Sequence, residues 1–268
     1  MSRKILFRAL VLCGLVLGGE IHAFLLSQKM PQFYAGLSVG AQRLSGRRSE
    51  VANYAASPGD PFGPPEVINF SNLSPFSNKN GYYSGHVGCT WGIPRTTLFW
   101  GPEIYIGQSN TRNNVIKSFL DLTASSRSLN ASIRQSNFFG GAFQVGFNWI
   151  GNSRLSLLLG FEKSQFEYFG VYVPRSQFAL VGFNPGGPGI GDDYAPTILN
   201  TSKWLSGFMW GLGIERQIES FRIGVDFRMI HYKEFKAAYT VLAAEPETLY
   251  TAIKPKNIRF GLKFSYLF

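Results

Sequence analysis

The chain has 268 residues, a length that fits one large domain or two small ones, and a formal net charge of +10. Only 16% of the residues are charged, against roughly 25% in soluble domains, while 15% are aromatic and 30 are Gly. Few charges combined with many aromatics exclude a disordered chain and a coiled coil. The basic balance alone indicates nucleic acid or an anionic membrane as partner, but this composition also suits a β protein that faces lipid.

The N-terminus has the layout of a secretory signal peptide. A segment with three basic residues precedes an uncharged, mostly apolar run at 9–19, and cleavage is expected after Ala23. The apolar run is too short to span a bilayer as a helix. We therefore predict a signal peptide at 1–23 and one exported domain at 24–268.

The exported domain is expected to fold without an intramolecular disulfide, because cleavage leaves Cys89 as its one cysteine. The sequence after residue 23 has no run of about 18 consecutive apolar residues, so a membrane-spanning helix is not expected. An exported soluble protein and an outer-membrane barrel remain as alternatives.

Eight segments alternate with the period of two that is typical of β-strands. In chain order they are 32–42, 81–93, 97–108, 137–149, 155–163, 203–216, 220–231 and 257–268. We predict an all-β, antiparallel, up-and-down transmembrane barrel of eight strands. A further hairpin in the third loop, from 171–173 and 177–183, would give ten strands instead.

The connections between these segments alternate strictly in length. The second, fourth and sixth segments are followed by tight turns, whereas the other connections are long: 43–80, 109–136, 164–202 and 232–256. Short periplasmic turns and long external loops are typical of an outer-membrane barrel. A soluble sandwich also alternates along its strands, but it has no reason to sort its connections by length.

The two faces of the segments differ sharply in polarity. One face, which begins with Phe33, Ala35 and Leu37, contains 43 positions and no charged residue, where the overall composition would give roughly seven. A charge at the middle of a membrane costs about 2–4 kcal/mol, so we assign this face to lipid. The opposite face is polar and rich in Gly, which is the reverse of a soluble protein.

The tryptophans are expected to form aromatic girdles at the membrane interfaces. Trp91, Trp100 and Trp149 lie next to the short turns, Trp204 lies at the far rim, and Trp210 is assigned to the same set. Pro102 lacks the N–H that a ladder needs in the middle of a strand. We expect a β-bulge there.

The inward face carries eight ionisable side chains, four of each sign. They are Glu103, Glu162, Glu215 and Asp226 with Arg222, Arg228, Arg259 and Lys263. A tight turn centred on 218–219 would place Glu215 directly opposite Arg222. These groups would serve a gated pore or a binding site, or they would form a charge network that fills the barrel. We favour the network, because side chains just fill the interior of an eight-stranded barrel and buried charges persist when paired.

No catalytic residue is predicted. His86 shares the inward face with Ser84, a combination that hydrolases use, but no carboxylate is obviously placed to orient the imidazole, and the site would be closed to lipid. His231 ends the seventh strand without a neighbouring Ser. No cofactor or metal ligand is predicted either, and an outer-membrane lipid hydrolase is the remote alternative.

The last strand alternates aromatic residues and ends on Phe268. With the eight-strand layout of 32–268, it resembles the small outer-membrane barrels of the OmpA, OmpX and Opa-like superfamily. The resemblance implies that Phe264, Tyr266 and Phe268 form the signal that the barrel-assembly machinery recognises. It also implies a role as adhesin, surface antigen, evasion factor or narrow pore, among which the fold does not choose. The periplasmic wall-binding domain of some relatives is not expected, because the sequence ends with the barrel.

The expected function is that of a non-enzymatic surface protein of the bacterial outer membrane whose long loops contact the host or the environment, with a narrow porin as the alternative. The lumen charges are expected to cancel, which leaves the excess positive charge at the rims. Lipopolysaccharide phosphates and acidic sugars are therefore the expected counter-charges rather than nucleic acid. In the loops, 115–122 is expected to hold a short amphipathic helix, and 238–243 is expected to form a hairpin with 248–253.

Overall fold

A computed structural model describes residues 31–54, 67–69, 76–112, 116–122, 125–149, 152–173, 197–241 and 247–268. They form eleven strands: β1 (Gln32–Tyr54), β2 (Val67–Asn69), β3 (Phe76–Gly92), β4 (Leu98–Arg112), β5 (Ile116–Leu122), β6 (Ser125–Asn148), β7 (Ser153–Val173), β8 (Thr197–Ile218), β9 (Phe221–Tyr232), β10 (Phe235–Val241) and β11 (Glu247–Leu267). None of these residues belongs to a helix long and apolar enough to cross a membrane. The expected signal peptide lies outside the described residues.

Eight of the strands close into an antiparallel ring. The order β11-β9-β8-β7-β6-β4-β3-β1 is completed by pairing of β1 with β11, from Tyr34 opposite Leu267 to Tyr54 opposite Glu247. The predicted eight-stranded, up-and-down barrel is therefore confirmed. Residues 171–173, which the ten-strand alternative assigned to an extra hairpin, prolong β7, and 177–183 lie outside the described residues.

Three short strands lie outside the ring and pair with its extended members. β10 pairs with β11, which confirms the hairpin expected in the fourth loop, and β2 pairs with β1. The expected helix at 115–122 is wrong, because Ile116–Leu122 is strand β5 and pairs with the first residues of β6. The first residues of β6 have backbone N–H and C=O groups that need hydrogen-bond partners, and β5 provides them. The spacing of apolar residues within the segment does not reveal this requirement.

The tight turns contain residues with positive φ, namely Arg95 at 63°, Asn152 at 62° and Glu219 at 52°. Ile218 lies opposite Phe221, so the turn between β8 and β9 is centred on Glu219 and Ser220 rather than one residue earlier. Glu215 consequently lies opposite Gly224 and not opposite Arg222, so that predicted pairing is wrong. In the β8–β9 turn the positive φ lies at the first of the two central residues, as in the turns whose twist matches a hairpin.

The predicted β-bulge at Pro102 is also wrong. On one side Pro102 pairs in unbroken register with Phe143 of β6. On the other side Gly88 lies opposite Glu103 and Trp91 opposite Trp100 in the same register, and only the pairs between them drop out. The missing N–H is thus accommodated by a local gap in the ladder, while register shifts occur further out, at Gln108/Thr111 and Gln135/Phe138.

The outer face of the ring changes from apolar to polar along every strand. Polar side chains begin about ten positions from the periplasmic end, which is the end with the tight turns. Ten positions are close to the length that a transmembrane strand needs. The first of these polar side chains are Arg43, Lys79, Gln108, Asn137, Lys163, Ser206, His231 and Lys256. We call the part with the apolar outer face the membrane section and the part beyond these residues the external section.

The interior changes in the opposite sense. In the membrane section the buried inward side chains are mostly polar or charged. In the external section most of them are apolar and belong to a buried cluster that also reaches into the membrane section. The external members, which we call the apolar cluster, are Leu44, Phe76, Ala131, Ile133, Phe166, Tyr168, Leu199, Leu205, Phe235, Ala237 and Ile253. The membrane section is therefore built for lipid outside, whereas the external section is built like a soluble protein, with water outside and an apolar core.

A candidate site in the barrel lumen

The structure places all eight predicted lumen charges inside the barrel, and none of the eight residues is more than 8% exposed. A ninth charged residue, Arg154, is also inward and only 6% exposed. Sequence reasoning missed it by assigning it to the turn, although it shares parity with Glu162 along β7. The inward bases therefore outnumber the inward acids by five to four among the described residues, and the expected cancellation is wrong.

Five of these charges form one continuous network that runs from the middle of the membrane section toward its periplasmic end. Arg228 joins Asp226, at 2.6 Å from Nε to Oδ2, to Glu103, at 2.8 Å from Nη2 to Oε1. Lys263 Nζ then joins Glu103, at 2.6 Å, to Glu215, at 2.8 Å. Signs alternate along the network, so each charge faces an opposite one, as groups removed from water require.

A second ion pair lies on the external side of that network. Arg259 donates to both carboxylate oxygens of Glu162, through Nη1 at 2.6 Å and through Nη2 at 2.9 Å. Tyr105 donates a hydrogen bond of 3.1 Å to the same carboxylate, Tyr232 donates another, and the Arg259 guanidinium lies 3.6 Å from the centroid of the Phe138 ring. The carboxylate is thus satisfied on both oxygens.

An amide layer separates the charges from the apolar cluster, and sequence reasoning did not find it. Gln135 Nε2 donates to Ser164 and to Tyr232, each at 2.8 Å, while Asn257 Nδ2 donates to Gln135 at 2.7 Å and to Gln42 at 3.1 Å. Their inward parity was readable from the sequence, but their convergence depends on the barrel radius and register. The lumen is crossed in turn by charged, amide and apolar layers.

His86 is held by hydroxyl groups. Its Nε2 lies 2.8 Å from Ser265 Oγ and its Nδ1 lies 3.4 Å from Ser38 Oγ, and the residue is only 3% exposed. Ser84 is buried on the same face, and His231 lies on the outer surface. No group of His, Cys, Asp or Glu in the described part of the chain is arranged to hold a metal ion.

The tryptophans lie on the outer face, at different heights. Trp91 stacks on Trp100 with centroids 4.8 Å apart beside the first tight turn, and Trp149 is 62% exposed beside the second. Trp204 lies just beyond the polar boundary at Ser206. Trp210 packs against Phe227, with centroids 5.9 Å apart, within the apolar belt rather than at its rim.

The C-terminal aromatics continue the outer face of β11 to the periplasmic end. Phe264, Tyr266 and Phe268 all point outward, and Tyr266 packs edge-on against both Phe268, at 5.2 Å, and Phe221, at 5.3 Å. The Phe268 amide donates to the Phe33 carbonyl at 3.0 Å, which fixes the end of the chain at the seam of the ring.

A closed antiparallel ring with an apolar outer belt, a polar lumen, tight turns at one end and long connections at the other is the architecture of an outer-membrane-type transmembrane β-barrel. No protein-family model matches the chain, and no curated protein matches it.

Solved structures that resemble the chain are barrel proteins with low sequence identity. Neisserial surface protein A has 10% identity and a TM-score of 0.34, over 90% of this chain and 100% of that one. The outer membrane protein OprG of Pseudomonas aeruginosa has 9% identity and a TM-score of 0.39, over 88% and 96%. The outer membrane protease OmpT of Escherichia coli has 12% identity and a TM-score of 0.29, over 90% and 98%. The assignment of this chain to the outer-membrane-type β-barrels rests on its own strand register and on the polarity of its two faces.

Proposed function

We propose that the protein is a non-enzymatic barrel of the bacterial outer membrane that holds a rigid platform for binding above the membrane. The observation that carries this proposal is the length of the strands. β6 has 24 residues, and four further strands of the ring have 21 to 23. A transmembrane strand needs only about 9–11 residues.

The excess length extends the barrel wall well beyond the lipid. At about 3.3 Å per residue and a tilt of about 40°, a strand as long as β6 rises about 60 Å, whereas the apolar belt of such barrels is about 25 Å tall. On the order of 30 Å of wall therefore stands outside the membrane. A wall of this height moves the loops away from the bilayer, a placement that suits contact with another surface.

The apolar cluster supports a binding platform rather than a channel. Leu44, Ile133, Phe166 and Phe235 are each fully buried where a solute would have to leave the barrel. A pore keeps a polar, water-filled path. A narrow porin would require this cluster to open, and we therefore place conduction second.

The outer surface of the external section carries a cationic stripe on three adjacent strands. It consists of Arg43, Arg47, Lys79, Lys254 and Lys256. Arg43 lies opposite Lys79 in the β1–β3 pairing, and Arg47 lies opposite Lys254 in the β1–β11 pairing, so the charges are neighbours on adjacent strands. The lower part of the stripe borders the apolar belt, where lipopolysaccharide phosphates would be its counter-charges, and the upper part suits acidic surface sugars.

Two measurements test the proposed function. Refolded protein in planar bilayers is expected to show no stable conductance. Gram-negative cells that express the chain are expected to adhere more to a surface coated with dextran sulfate than to one coated with neutral dextran. Substitution of Arg47→Gln with Lys254→Gln is expected to reduce that adhesion, and Lys163→Gln on the outer face of β7 is the matched control. A steady channel, or adhesion equal to that of cells without the chain, would contradict the proposal.

A further inference from the structure

Two buried arginines lie together at the periplasmic end of the lumen. Arg154 is the second residue of β7 and Arg222 the second residue of β9, and they are 6% and 2% exposed. Glu215 of β8 lies opposite Arg154 and, on its other side, opposite Gly224, two residues from Arg222. The two guanidinium groups therefore occupy one layer of the inward face, at the opening of the barrel toward the periplasm.

Neither arginine is fully satisfied by the protein. Arg154 lies with its guanidinium carbon 3.7 Å from the centroid of the Phe99 ring, and Arg222 donates through Nη2 to the side-chain oxygen of Gln32. The Nε atoms of both are buried and make no hydrogen bond to any residue that the structure describes. A buried donor without a partner costs about 1–3 kcal/mol, and more when it is charged.

Glu215 lies close to both arginines, but every lumen carboxylate makes its ion pairs with other bases. Ion pairs connect Glu103, Asp226, Glu162 and Glu215 to three other bases, Arg228, Arg259 and Lys263, and no ion pair between described residues includes Arg154 or Arg222. The excess positive charge of the lumen is thus concentrated at its periplasmic end.

We propose that Arg154 and Arg222 form a binding site for a phosphate-type oxyanion that enters from the periplasmic side. Guanidinium groups match tetrahedral oxyanions because two N–H donors of one group reach two oxygens of the anion. The Phe99 ring holds the Arg154 guanidinium from one side, and Gln32 holds Arg222, so both groups are oriented before the anion arrives. The anion would accept hydrogen bonds from the two guanidinium groups and neutralise the excess charge. This site is independent of the external platform.

The direct test observes the two guanidinium groups in the unmodified barrel. Refolded protein in a neutral maltoside detergent is titrated with inorganic phosphate, with sodium chloride at equal ionic strength as the reference, and the Nε–H correlations of the arginines are followed by NMR. Phosphate is expected to shift the Arg154 and Arg222 signals with one saturable curve. Unchanged signals for both residues would overturn the proposal.

Variants test the same site by affinity. Arg154→Gln and Arg222→Gln are each expected to weaken phosphate binding at least tenfold, while Arg216→Gln, which removes an outward base at the same end of β8, leaves it unchanged. A heat-modifiable shift in gel mobility shows which variants are folded. Folded Arg154→Gln and Arg222→Gln proteins that bind phosphate as tightly as the parent chain would overturn the proposal.

The source of the phosphate is distinguished in lipid. In nanodiscs of phosphatidylcholine, shifts of the two signals with added inorganic phosphate assign the site to a soluble anion. Shifts that appear in nanodiscs containing phosphatidate, before any phosphate is added, assign it to the phosphomonoester of a lipid headgroup. Both results support the site, and signals that respond to neither phosphate overturn it.

Discussion

Glu162 on β7 and Arg259 on β11 form a two-point ion pair through the interior of the barrel, at 2.6 and 2.9 Å. Two strands of the ring, β8 and β9, separate the strands that carry them. The pair therefore cross-braces the wall instead of joining neighbouring strands, and it lies where the charged layers meet the amide layer.

Removal of one partner should be costly. Glu162→Gln leaves the Arg259 guanidinium buried without a counter-charge, and we expect a loss of about 3–5 kcal/mol in the free energy of unfolding. Urea unfolding in phosphatidylcholine vesicles, followed by tryptophan fluorescence, measures it. Lys163→Gln, on the outer face one residue along, is the control and should change little. A loss below about 1 kcal/mol for Glu162→Gln would mean that the pair does not bear on stability.

The apolar cluster of the external section should contribute as a soluble core does. Phe166 is fully buried, whereas Phe169 on the outer face of the same strand is 45% exposed. Phe166→Ala is expected to lower the free energy of unfolding by about 3–5 kcal/mol, because it leaves a cavity. Phe169→Ala should have a clearly smaller effect in the same assay. Equal effects of the two substitutions would contradict a packed core above the membrane.

The seam between β1 and β11 depends on close backbone approach. A Cβ at Gly40 would lie 2.2 Å from the Phe260 carbonyl oxygen, whereas at Gly81 the nearest atom would be 3.8 Å away. Gly40→Ala is therefore expected to destabilise the barrel by about 1–3 kcal/mol and to slow the appearance of the folded band on unboiled gels. Gly81→Ala is the matched control. Equal stability and equal folding rates of the two variants would show that the backbones at the seam are not closely packed.

Arginine placed on the outer face should distinguish the two sections of one strand. Val39 and Ser49 both point outward on β1, the first within the apolar belt and the second in the external section. Val39→Arg is expected to cost about 2–4 kcal/mol, since it puts a charge in lipid. Ser49→Arg should cost much less, because its side chain meets water. Unfolding in vesicles measures both free-energy changes. Similar values would show that Val39 and Ser49 do not lie on opposite sides of the boundary between the two sections.

The membrane section could be predicted from the sequence because lipid leaves a simple pattern. Outward positions such as Val39 and Leu159 must be apolar, inward positions such as Glu162 are free to be polar, and the period of two separates them without knowledge of the partner strands. The same reasoning correctly gave the number of strands in the ring and placed the eight charges on one face.

The external section could not be predicted in the same way. There the alternation persists with its sense reversed, as in Leu44 inward and Arg43 outward, so a search for an apolar outer face stops at the boundary. The ion-pair partners could not be predicted either, because a one-residue displacement of the turn at Glu219 changes which residues face each other. Arg154 shows the same limit at a strand end, where turn and strand are hard to separate.

The most direct test of the two-section barrel is the depth of nitroxide labels along one outer face. In the domain 24–268 with Cys89→Ser, single cysteines at Leu159 and Gln165 of β7 are spin-labelled, and their collisions with oxygen and with a water-soluble nickel complex are measured in vesicles. The label at Leu159 is expected to meet oxygen and to be protected from nickel, and the label at Gln165 to meet nickel freely. A label at Gln165 in lipid, or one at Leu159 in water, would contradict the structure proposed for this barrel.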